Sequence, residues 1–322
     1  MTRFRCFALV VVACAVTSAA PGFAQPAGAG LAHTRWGDPD LQGYWNNNTL
    51  VPLERPANFA GRDSLTDEEV AERAASWSAL IFADRPGDPG FYNEFWMEYG
   101  LDTNRTSLVI DRPNGQLPAL TPRAAEVRQA ISDRWRASSR APATYLDRTL
   151  ADRCLTRGMP GTMTPGYGYN HNYQILQTPD YVVINVELIH DTRIIPLDGR
   201  PHPSQHIKQW LGVSRGHWDG DTLVVETTNL TDKVTERNGG PTVFGVGENL
   251  HLVERFTRVS DDTIDYRYTV EDSTTYEEPW TAAIPMHKIE GPIFEYACHE
   301  GNYSIPNILL GARAIDRADQ PD

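Results

Sequence analysis

The sequence is poor in several features that would settle a function at once. It holds only four cysteines in 322 residues, and none stands in a CxxC or zinc-type spacing, so a redox dithiol and a structural zinc centre have no sequence support. No GxSxG nucleophile elbow is present. The glycine-rich run from Gly161 to Gly168 lacks the Lys-Ser/Thr that a phosphate cradle requires, which argues against nucleotide binding. His202 and His206 have helical metal spacing, but Pro201 and Pro203 forbid a helix through His202. Positive charge is short as well: 29 Lys and Arg face 42 Asp and Glu, for a net charge of −13. An acidic chain has no electrostatic reason to bind nucleic acid or an anionic membrane. The longest apolar run, Phe7–Val16, is too short to span a bilayer.

That run sits instead in a leader. Arg3 and Arg5, the apolar stretch and the small-residue exit at Gly22-Phe23-Ala24 describe a secretory signal peptide over residues 1–24. Its removal takes away two positive charges and no negative ones, so the exported chain moves from −13 to −15. A periplasmic or secreted location follows. Cys6 and Cys14 leave with the leader, and the remaining pair, Cys154 and Cys298, is expected to form a disulfide in an oxidising compartment. So long a closed loop stabilises by about 4–5 kcal/mol in the chain-entropy model.

The rest of the chain divides by pattern. Residues 25–63 are rich in Gly, Pro and Asn and read as an extended arm, pinned where Trp36, Tyr44 and Trp45 bury their rings. Residues 64–322 read as one α+β domain. Its helical part, 64–150, holds a helix opened by the capping box Thr66 to Glu69 and another opened at Thr121-Pro122, with a short strand at Thr106–Asp111 between them. From 151 to 303 the apolar period becomes two. Strands are expected at Tyr173–Thr178, Tyr181–His190, Thr192–Leu197, Leu211–Trp218, Asp221–Leu230, Asn249–Val259, Thr263–Asp272, Glu278–Met286 and Pro292–Cys298. Turn signals such as Asp219-Gly220 separate them. Eight or nine sequential strands predict an antiparallel meander, as a barrel or a strongly curved sheet, closed by a helix over 304–316.

Polar residues on apolar strand faces are the candidate site. His190 ends the row Val182, Ile184, Val186, Leu188 and is expected to face a core or cavity, where an imidazole suits proton transfer. A buried histidine satisfied by a carbonyl is the competing reading. Glu254 shares a face with Leu250, Leu252 and Phe256, beside Tyr266 and Tyr268 of the next strand. It is either a general acid raised by burial, or a residue on the solvent face opposite His251, Val253 and Arg255, or the partner of an arginine such as Arg193 or Arg215. His299 and Glu300 follow Cys298, and a bridge to Cys154 would bring the Tyr169-Asn170-His171 loop near them as ligand contacts, with Arg193 steadying negative charge. The competing reading is a capping turn before the last helix. His171, His190 and His299 could form a metal site only by convergence that no spacing demands, so neither a metal nor a cofactor is expected.

The segments Gln177-Thr178-Pro179-Asp180-Tyr181-Val182-Val183, Pro196-Leu197-Asp198-Gly199-Arg200-Pro201, Trp218-Asp219-Gly220-Asp221-Thr222-Leu223-Val224-Val225-Glu226-Thr227-Thr228-Asn229 and Glu295-Tyr296-Ala297-Cys298-His299-Glu300-Gly301-Asn302-Tyr303 resemble a large group of exported bacterial proteins that shares no functional name. The resemblance covers roughly residues 36–315. It implies export and a common β-rich fold, and it carries over no catalytic role. Three functions remain open: an exported enzyme using acid–base chemistry (lyase, isomerase or hydrolase) on a small, partly apolar organic substrate, a lipocalin-like carrier of a small molecule, or an envelope interaction module. Oligomeric state is not legible.

Overall fold

Period-two patterning from residue 172 onward supplies eight of the nine strands of one antiparallel sheet in the computed structural model of the chain. The structure describes residues 30–82, 97–98, 100, 102–138, 141–156, 159, 169–234 and 247–318. The expected leader 1–24, the Gly161–Gly168 run and residues 235–246 lie outside them. The strands are β1 (Gly43–Asn46), β2 (Asn172–Gln177), β3 (Tyr181–Val186), β4 (Thr192–Pro196), β5 (Val213–Asp219), β6 (Thr222–Thr228), β7 (His251–Arg258), β8 (Thr263–Glu271) and β9 (Trp280–Ile289). Their spatial order is β4-β3-β2-β1-β9-β8-β7-β6-β5. With helices α1 (Asp67–Ile81), α2 (Pro122–Ser138) and α3 (Ser304–Ala318) the class is α+β. Among the described residues no helix is long and apolar enough to cross a membrane.

The sheet's centre comes from the arm. β1 pairs with β2 through Gly43↔Ile175 and Trp45↔Tyr173, and with β9 through Tyr44↔Ile289 and Asn46↔His287. Trp45 is fully buried and donates its indole N–H to the Leu41 carbonyl at 2.9 Å. Gln177 grips the arm at both ends of its amide: the oxygen accepts from Leu41 N at 2.6 Å and the nitrogen donates to the Pro39 carbonyl at 3.0 Å. An arm expected to lie on the domain is thus the strand that joins its two halves.

The edge strands β4 and β5 share no hydrogen-bond ladder, so the sheet is not closed into a barrel by its backbone. Their side chains nevertheless meet: Arg193 on β4 donates to the Ser214 hydroxyl on β5 at 3.1 Å. The face between them is packed with Ile184, Ile195, Val225, Leu252, Phe256 and Tyr266, all buried.

Two expected strands do not form. Around Val109 there is only an isolated bridge to Ala282. Residues 292–298 have no ladder, because β9 already has β1 on one side and β8 on the other and ends at Ile289. Both helix starts match their caps. Thr66 accepts from Glu69 N while Glu69 accepts from Thr66 N, and α2 begins at Pro122.

Candidate functional site

The end of β3 sets the site. The row Val182, Ile184, Val186 points inward as its alternation requires, and the strand stops at Val186. Leu188–His190 then form a tight turn in which Ile189 and His190 have φ of 61° and 51°. A β-branched residue in this left-handed region costs roughly 1–3 kcal/mol; the burial of Leu188 and Ile189 offsets it. The turn reverses the expected placement of His190. It does not finish the aliphatic row in the core; its ring is exposed at the sheet's rim.

That rim holds a cleft of about 460 Å³. Asn185–Glu187 and His190 form one wall, and Ile293–Glu300 forms the other. The second wall has no ladder and is held by side chains instead. Glu187 is 3 % exposed and its carboxylate accepts from Phe294 N at 2.9 Å. His190 Nδ1 lies 3.2 Å from the Tyr296 carbonyl. A carbonyl oxygen can only accept, so that bond places the proton on Nδ1 and leaves the Nε2 lone pair for a substrate. Cys298 is joined to Cys154 in a disulfide with 5.7 Å between Cα atoms, and the Asn302 side-chain amide donates to Cys154 Sγ at 3.1 Å. His299 faces His190 across the cleft with ring centroids 6.2 Å apart. Glu300 lines the same space. A smaller hollow of about 80 Å³ beside α2 is too small for an organic ligand.

Behind the wall a polar chain runs inward. Glu187 accepts from Asn172 Nδ2 at 2.6 Å, and the same nitrogen lies 2.8 Å from Glu98. Glu98 also accepts from His171 N at 3.2 Å and Asn46 Nδ2 at 3.0 Å. Burial raises the Glu98 pKa, the Glu187 charge raises it further, and the hydrogen bonds from His171, Asn172 and Asn170 work against both.

The expected site residues therefore fall into three places. His190, His299 and Glu300 meet at the cleft. His171, 1 % exposed, and Asn170, at φ 56°, wrap Glu98, with Tyr169 half-buried against the core. Glu254 lies in neither place. It is 1 % exposed inside the sheet, where Arg193 Nη1 and Nη2 donate to it at 2.9 and 2.5 Å and Tyr266 Oη donates at 2.9 Å. Burial is the largest single influence on the Arg193 pKa and lowers it, but the Glu254 charge, its hydrogen bond and the nearby Tyr266 and Tyr173 together outweigh it, and the value is raised. Tyr268 beside it is fully buried, and burial raises its phenol. Of the readings of Glu254, its surroundings are those of the arginine partner and not of a solvent face, and it is not among the residues that line the cleft with His190. Glu187, Glu98 and Phe294 went unread in the sequence. The one signal for Glu187 was a carboxylate directly before the apolar pair Leu188-Ile189. Among the described residues no group of three or more His, Cys, Asp or Glu is placed to hold a metal ion.

No family model matches the chain, and no curated protein is significantly similar to it.

Proposed function

We propose that this is an exported enzyme that binds a small, partly apolar organic molecule in the rim cleft and moves a proton on it with His190 and His299. The observation that carries the reading is the facing pair of imidazoles, 6.2 Å apart across open space, with one already oriented by a backbone carbonyl. Imidazole is the side chain best suited to proton transfer near neutrality. His190 Nε2 acts as the base, because its Nδ1 proton is committed to Tyr296. His299, whose ring is not so committed, returns a proton to the opposite side of the reacting group, and Glu300 stands next to it. Proton abstraction and return fit lyase, isomerase or hydrolase chemistry. Arg193, Glu254, Tyr266 and Tyr268 have a structural role in this reading. They close the seam of a barrel-like sheet with side chains where the backbone ladder is missing. The leader and the disulfide support the export part.

The test is His190→Gln and His299→Gln, each screened for turnover against a metabolite library alongside a melting measurement. Turnover should fall about 10²–10⁴-fold in each, the ordinary contribution of one general acid or base. The melting temperature should stay unchanged, since both rings are exposed. Undiminished turnover in both variants would falsify the assignment. Ligand binding without turnover in the parent protein would make it a carrier.

A further inference from the structure

We infer that the rim cleft selects a cationic organic molecule with an apolar body, in class an aralkylamine or a quaternary ammonium. The inference rests on the cleft being a ligand site and adds the charge of the ligand.

The lining contains three carboxylates, Glu187, Glu295 and Glu300, and no Lys or Arg. Glu187 is committed to Phe294 N and Asn172. Glu295 and Glu300 are exposed, and neither has an arginine or lysine partner among the described residues. An anionic ligand would meet this charge with only the two imidazoles, His190 and His299, in the lining to offset it, and neither guanidinium nor ammonium, the groups that bind anions most strongly. A cation meets the reverse. Beside these carboxylates stands Phe294, which is 75 % exposed. An aromatic face next to a carboxylate that has no cationic partner among the described residues holds an ammonium by ion pairing and by the ring quadrupole together. Tyr296 supplies a second ring, and Val186, Ile293 and Ala297 supply apolar contact for the body of the ligand. The volume of about 460 Å³ admits a single-ring amine with room for a substituent. The net charge of −13 draws cations toward the whole molecule.

Three near-isosteric probes separate charge from shape: phenethylamine, 2-phenylethanol and phenylacetate, titrated into the full exported protein by calorimetry at about pH 8, at low and moderate salt. The amine should bind at least tenfold tighter than the alcohol, and phenylacetate weaker than either. The amine's advantage should shrink at the higher salt. The double variant Glu295→Gln with Glu300→Gln should erase that advantage without moving the melting temperature, and Phe294→Ala should weaken the amine more than the alcohol. If the three probes bind equally, or phenylacetate binds best, charge selection is overturned. In that case weaker binding of all three to His190→Gln and His299→Gln would leave the cleft standing as a ligand site. If none binds, this inference falls, and the turnover of the histidine variants decides the site independently.

Discussion

Arg193 and Glu254 form a buried pair with further hydrogen bonds to Ser214, Thr227 and Tyr266, while Arg193 Nε has no partner among the described residues. Removing one partner leaves a buried charge unmatched, which costs about 3–5 kcal/mol. Glu254→Gln should therefore lower the unfolding free energy by that amount, seen as a lower denaturant midpoint, while leaving probe affinity at the cleft intact in the folded fraction. Exchanging both, Arg193→Met with Glu254→Leu, should recover most of the loss, because apolar groups of similar volume do not carry the desolvation cost. If Glu254→Gln kept full stability but lost cleft function, Glu254 would return to the site. Glu98 has a pH signature of its own. Its folded pKa is raised, so the folded state holds that proton more tightly than the unfolded chain does. Its contribution to stability is thus full at low pH and declines as pH rises from the ordinary glutamate range through the raised value. Urea unfolding of Glu98→Gln across pH 4 to 8 should show the variant gaining on the parent as pH rises. A parallel pair of curves would contradict this. The inward face of Glu254 could be read from alternation with Leu252 and Phe256. Its partner could not be chosen, because Arg193 is 61 positions away and only the curvature of the sheet brings β4 across to β7.

β1 is four residues long and contains Gly43 and Asn46, both poor strand formers. Nothing local marks it as a strand. It forms because β2 and β9 each present it an unpaired edge and because Trp45 fills the core beneath. Trp45→Ala should cost about 3–5 kcal/mol, the usual loss for a buried aromatic. Deleting residues 31–48 should abolish cooperative unfolding, since it removes the one strand that joins β4-β3-β2 to β9-β5. A sharp two-state melt after that deletion would show that the halves meet without the arm. The hairpins were legible for the opposite reason. Asp219-Gly220 is a strong hairpin signal by itself, and β5 turns into β6 there with Gly220 at φ 58°. The 292–298 segment has strand-like alternation, yet pattern cannot tell whether an edge is free to receive it. Its loss from the sheet is what opens the cleft.

The Cys154–Cys298 bond closes a loop of 144 positions and ties the cleft's unladdered wall to the residues that precede β2. Reduction, or Cys154→Ser with Cys298→Ser, should remove about 4–5 kcal/mol in the chain-entropy model. It should also weaken ligand binding more than Trp45→Ala does at matched stability, because the bond holds the wall as well as the fold. Equal effects on binding would reduce the disulfide to a general staple. The sequence alone determined the acidic charge, the antiparallel strand run, the helix starts and most of the inward strand faces. Each follows from composition or from the spacing of neighbours along the chain. Only the tertiary structure decided that the arm lies at the sheet's centre, that Glu254 is matched by Arg193, and that His190 turns outward to face His299. These depend on which distant edges are free to pair and how far the sheet bends, and both are set by packing among strands that no local pattern connects.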